Sequence, residues 1–171
     1  DIWKDIEPML RQVMEEDEGT YVESQLLIME RNGYPEETYY TFSYTPIPGD
    51  DGKTEGMFCA NTDDTEKIIN ERQLKTLTQL GKSLTDCKSN SEVIEKTIAT
   101  LQENIHDFPF ALFHTVDGDQ ATLQSSTPLT ESQSVFLSNV RLPGDHPVAQ
   151  VMNQGLESGK LHVFELQDIR M

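Results

Sequence analysis

Two cysteines, four histidines and thirty acidic residues are the groups in this chain with the most chemistry to offer. Cys59 and Cys87 lie far apart without metal-ligand spacing; they can form one bridge, but thiols in a reducing compartment are the simpler reading. His106, His114, His146 and His162 have no partner ligand at a matching spacing. His114 shares the parity of Leu112 and Val116, where a strand histidine with a local hydrogen bond is expected rather than a metal or haem ligand. Acids cluster at Glu15–Glu18, Glu36-Glu37, Asp50-Asp51 and Asp63-Asp64, all in expected turns or at helix ends. General acid–base work needs carboxylates that converge in a cleft, so these read as solvated surface. Asp117-Gly118-Asp119 is too short for a calcium loop. No nucleophile elbow, phosphate loop or zinc-helix motif occurs. The expectation is no metal, no covalent cofactor and no catalysis.

A second set of candidates is aromatic. Tyr39-Tyr40-Thr41-Phe42-Ser43-Tyr44-Thr45 is rich in β-formers, with aromatics at both parities. Tyr40, Phe42, Phe58 and Asn61 are the candidate ligand-facing residues. Core packing for the rings, and a strand-end role for the amide, is the simpler reading.

These residues must be positioned by 171 residues of 36% hydrophobic content, enough for one compact domain or two small ones. The net charge of −17 argues against nucleic acid and against anionic membrane surfaces. No run is long and apolar enough for a membrane span, and the first residues lack signal-peptide character, so a cytoplasmic location without membrane insertion is expected.

Apolar spacing predicts a helix over Ile2–Glu16, closed at Gly19, despite Pro8. Three strands follow, Tyr21–Arg31, Glu37–Ile47 and Gly56–Asn61, separated by turns at Asn32-Gly33 and Asp51-Gly52. They should form one antiparallel meander in chain order. Thr65–Leu84 is a helix, in which Leu74, Leu77, Gly81 and Leu84 follow a three-four seam suited to a second helix. Ser91–Asn104 is another helix, with Ser89, Asn90 and Ser91 as possible caps. Strands are expected at Phe108–Val116 and Ala121–Ser125, a loop over Thr127–Asp145, a helix at His146–Asn153 and a strand at Lys160–Leu166.

The order of several motifs is specific. Glu30-Arg31-Asn32-Gly33, the strand Glu36–Ile47, Asp51-Gly52, a strand ending Ala60-Asn61, then Asp63-Asp64-Thr65-Glu66 at a helix start resembles the C-terminal half of a PAS domain. The following Glu71-Arg72-Gln73-Leu74-Lys75-Thr76-Leu77 is similar to the output helix of a PAS subgroup in bacterial-type sensor histidine kinases. Pro109-Phe110-Ala111-Leu112 resembles the first strand of a GAF domain. The likeness covers most of residues 1–126 and thins after Ser126, although His146-Pro147-Val148-Ala149 still fits a GAF-like course. It implies an α+β fold divided into a partial PAS domain (1–64), a connecting helix (65–86) and a partial GAF-like domain (87–171). Asn61 falls where flavin-binding relatives hold a flavin-contacting amide, but their cysteine-bearing helix is absent, so no flavin is implied. A histidine-phosphorylation box and ATP-binding boxes are also absent, and both modules are incomplete, so the chain reads as an excerpt, or a truncated gene product, of a longer protein.

The function that this implies is non-catalytic: reception of a small-molecule or partner signal, relayed by the D-x-T-E hinge into the helix. The partners expected are a second copy, through Leu74, Leu77 and Leu84, and the remaining domains of the parent kinase. The competing readings are a dimerisation or interaction module without a ligand, and a small enzyme of unrecognised type.

Overall fold

The computed structural model describes residues 2–129, 137–145 and 147–162. The fold is mixed α+β, with two antiparallel three-stranded sheets and four helices among the described residues. Two compact units cover residues 1–74 and 75–171.

In the first unit, α1 (Trp3–Glu16) lies on a sheet formed by β1 (Thr20–Met29), β2 (Glu36–Pro48) and β3 (Thr54–Asp63), in chain order as expected. The pleat sends successive side chains of β2 to opposite faces. Phe42 and Tyr44 take the α1 side and pack with Val13, their rings 5.3 Å apart and tilted. Ile6, Met9, Leu10, Val22, Tyr40 and Met57 surround this nucleus. Phe42 is 5% exposed, which places it in the core as the aromatic run predicts.

The helix stop differs from expectation. It is Asp17, at φ 58°, that takes the left-handed turn after α1, not Gly19. Gly19 serves a steric need instead: a Cβ there would sit 3.3 Å from the Tyr44 carbonyl oxygen. The Asn32-Gly33 turn is also wider than a two-residue hairpin, because Met29 and Glu36 are the last paired residues. Asn32 closes it by donating its backbone and side-chain N–H groups to the Glu36 carboxylate at 2.8 and 3.1 Å. A bulge interrupts β1 between Val22 and Gln25, with Ser24 at φ 50°.

Helix α2 (Thr65–Leu84) has the bounds that its apolar spacing predicts, and the unit boundary falls within it. The second unit continues with α3 (Asn90–Gln102), β4 (Leu112–Asp117), β5 (Gln120–Ser126), β6 (Asn139–Arg141) and α4 (Pro147–Ser158). Ser89 caps α3 by accepting from the Glu92 N–H at 3.2 Å. Ala121, Val140, Leu142, Ala149 and Met152 form a core, while Ile94 and Ile98 are buried on α3.

Four expectations change here. β4 starts at Leu112 rather than Phe108, because residues 104–108 form a turn in which the Phe108 N–H bonds to the Asn104 carbonyl at 2.9 Å. β6 lies where a loop was expected; three residues with one buried side chain, Val140, are too few to show alternation. α4 runs past Asn153 to Ser158 and stops at Gly159, whose φ is 61°. Lys160–His162 form no strand, and the rest of the expected Lys160–Leu166 strand lies outside the described residues, as does His146.

The burial of Phe42 leads to a prediction. Phe42→Asp places a charge against Val13 and Tyr44, at a cost on the order of 3–5 kcal/mol, enough to unfold a small unit. The measurement is a thermal melt by circular dichroism. Loss of the cooperative transition of unit 1 is expected, and an unchanged midpoint would refute the core assignment.

Candidate functional site

Two features of the first unit bear on function: a pocket on the inner face of the sheet, and the fastening of α2 to β2. The pocket, about 240 Å³, lies between the start of α1 and the sheet and is lined by Ile2, Ile6, Leu27, Met29, Tyr40, Phe42, Tyr44, Cys59 and Asn61. Three of the four residues singled out from sequence, Tyr40, Phe42 and Asn61, therefore share one concavity. Phe58 does not. It pairs with Thr45 on the opposite face and is 60% exposed. Residues three apart on a strand cannot share a face, so Phe58 and Asn61 were incompatible from the start. The same rule identifies the missed members: Tyr44 is two residues from Phe42, Cys59 two from Asn61, and the pair Tyr44 and Cys59 are cross-strand neighbours.

The fastening begins where β3 ends. The Asp64 N–H donates to the Tyr39 carbonyl at 2.8 Å. The Tyr39 N–H in turn donates to Thr65 Oγ1 at 3.0 Å. The Thr65 hydroxyl thus takes the place of the next ladder carbonyl, after the strand has already become a helix. Beside this, Thr41 Oγ1 donates to Asp64 Oδ2 and accepts from the Ser24 N–H at the β1 bulge, at 2.9 Å. Two turns into α2, Arg72 reaches back to Glu37 with both Nη atoms, at 2.6 and 3.0 Å. Both side chains of this pair are largely shielded, which makes the paired geometry more than a surface ion pair. The D-x-T-E segment noted in the sequence is therefore tied to two successive outer-face residues of β2, Tyr39 and Thr41, with Glu37 extending the line.

The charges at this junction have a clear electrostatic signature. Asp63 is held below the ordinary aspartate range, chiefly by the Thr65 hydroxyl and then by the Thr65 N–H, which reaches Asp63 Oδ1 at 3.0 Å. Arg31 adds an ion pair to Asp63 at 3.1 Å. The Tyr39 phenol is shifted upward, mainly by its hydrogen bond to Glu37.

The candidate dimer residues have an unusual setting. Leu74 and Leu77 are each 66% exposed, whereas Thr76 is 6% exposed. Within unit 2, Thr76 Oγ1 accepts from Asn104 Nδ2 at 2.9 Å, and Ser83 meets Thr100 at 3.4 Å. Within unit 2 this segment thus turns Thr76 and Ser83 inward and Leu77 to solvent, with Leu80 and Leu84 half-buried. His114 behaves as expected of a strand histidine, its Nε2 lying 2.8 Å from the Leu137 carbonyl oxygen. Among the described residues no cluster suited to a metal occurs, and no helix is long and apolar enough to cross a membrane.

Thr65→Val tests the junction. Loss of the hydroxyl leaves the Tyr39 N–H without its acceptor, at a cost of about 1–3 kcal/mol. It also releases Asp63 toward its ordinary titration range. Because the Asp63 value is lowered, the stability it contributes is present above the ordinary aspartate pKa and is lost as pH falls through the lowered value. Carboxyl-detected NMR should show the Asp63 midpoint rising in the variant; an identical midpoint in both proteins would contradict the assigned cause.

The chain matches no protein-family model and no curated protein.

Proposed function

We propose that this chain is a non-catalytic sensory and relay segment of PAS–GAF type, belonging to a sensor histidine kinase or a similar signalling protein. The observation that carries this reading is the shared hydrogen bonding of Tyr39, whose C=O bonds to Asp64, the residue before α2, and whose N–H bonds to Thr65, the first residue of the helix. A change in the curvature or register of β2 alters the seat of that helix directly. Signal reception falls to the pocket, because Tyr40 and Phe42 alternate with Tyr39 and Thr41 on the same strand. Occupancy on one face of β2 thereby acts on the anchor on the other. A ligand shifts such an equilibrium only by its differential affinity for the two helix positions.

The output partner in this proposal is a second copy of the chain, joined along Leu74, Leu77, Gly81 and Leu84. The positions that flank this seam in a parallel pair, Gln73 opposite Thr78 and Leu80 opposite Thr85, carry no like charges. The net charge of −17 opposes association, but at physiological salt the Debye length of about 8 Å screens much of it. The competing reading, an interaction module without a small-molecule ligand, shares this seam and differs only in giving the pocket no role.

Two measurements test the proposal. Hydrogen exchange on Arg72→Met should show faster exchange in residues 65–74 and unchanged exchange in α3. Equal rates throughout would mean that the Glu37 clamp does not hold the helix. Light scattering should place the wild type at twice the chain mass and Leu77→Lys nearer one. A wild type at one chain mass across the micromolar range would remove the second copy from the scheme.

A further inference from the structure

The inner-face pocket specifies more than the presence of a ligand. In a chain with thirty acidic and thirteen basic residues, none of the pocket's lining residues is charged. Leu27, Phe42 and Ile6 supply apolar walls. The pocket is smaller than the usual drug-sized site of at least ~300 Å³. A cavity of roughly 150 Å³ admits benzene, so about 240 Å³ suits one ring with a small substituent.

The polar groups in the lining divide into engaged and available. The Tyr40 hydroxyl interacts with Asp63 and Arg31. Tyr44 is only 9% exposed and lines the pocket, and its hydroxyl makes no hydrogen bond to a described residue and is not fully enclosed. Burial raises its pKa, which keeps it protonated and able to donate. The Asn61 amide, on the neighbouring strand, offers two more donors to the same space. Cys59 stands between these positions, pairs across the ladder with Tyr44 and is exposed. Arg31 and Asp63, beyond Tyr40, are paired with each other at 3.1 Å, so the pocket offers no free cation to a carboxylate and no free carboxylate to an ammonium, and it disfavours both.

We propose that this pocket binds a neutral, single-ring aromatic compound bearing one carbonyl oxygen, an aryl ketone or aldehyde. The Tyr44 O–H and the Asn61 amide donate to that oxygen, and the ring lies against Phe42 and Leu27. This assignment rests on the sensory reading of the pocket and gives it a ligand class.

The test uses the full chain with three probes of similar size: acetophenone, ethylbenzene and benzoate. Affinity is read by ligand-observed NMR, and location by the rate of Cys59 alkylation, with Cys87 as the internal reference. Acetophenone should bind and slow alkylation at Cys59 but not at Cys87, and benzoate should do neither. Tyr44→Phe should weaken acetophenone about tenfold, the loss of one net hydrogen bond, and leave ethylbenzene unchanged. Benzoate binding as well as acetophenone, an equal effect of Tyr44→Phe on both neutral probes, or acetophenone failing to protect Cys59 would each overturn the assignment. Such a failure leaves the relay to its own test, since the Arg72→Met exchange experiment uses no ligand.

Discussion

Tyr39 gives both of its backbone hydrogen-bonding groups to residues that are no longer in the sheet. Its carbonyl accepts from Asp64 and its N–H is met by the Thr65 hydroxyl. Buried backbone groups must be paired, and here the pairing makes the end of β3, the start of α2 and the first half of β2 one hydrogen-bonded assembly. Thr41 extends it to the β1 bulge through Ser24, and Arg72 extends it along the helix through Glu37. The position of the helix start is thus a property of β2.

β2 is also the strand whose other face closes the pocket. Phe42 and Tyr44 pack on α1 through Val13, while Thr41 bonds to Asp64 on the opposite side. Alternation along a strand separates these tasks without separating the residues: neighbours in sequence share a peptide unit but face different surroundings. That arrangement is economical for coupling, since displacement of Phe42 and displacement of Thr41 are displacements of one backbone.

Helix α2 buries one hydroxyl and exposes two leucines. Thr76 is buried beside the Asn104 amide, whereas Leu74 and Leu77 are largely exposed. Isolated exposed leucines are ordinary on protein surfaces. Leu74 and Leu77 lie on one stripe of the helix, and the relay and interaction-module proposals both use this face.

The sequence alone determined the features that depend on local pattern. The bounds of Thr65–Leu84, the order of the first three strands and the burial of Phe42 follow from periodicity, turn residues and hydrophobicity, which act over a few residues. Shorter or sterically set features were not legible. β6 is too brief to alternate, and Gly19 answers to the Tyr44 carbonyl oxygen rather than to a helix stop. Phe58 was assigned to the wrong face although its parity with Asn61 was readable, whereas the availability of Tyr44 was not: Tyr40 and Tyr44 are the same residue type at the same parity. Only the fold supplies Asp63 and Arg31 to one phenol and leaves the other without a hydrogen-bond partner. The pairing of Arg72 with Glu37 is likewise tertiary, because an ion pair between distant residues depends on where two backbones are brought together, and no spacing along the chain encodes that.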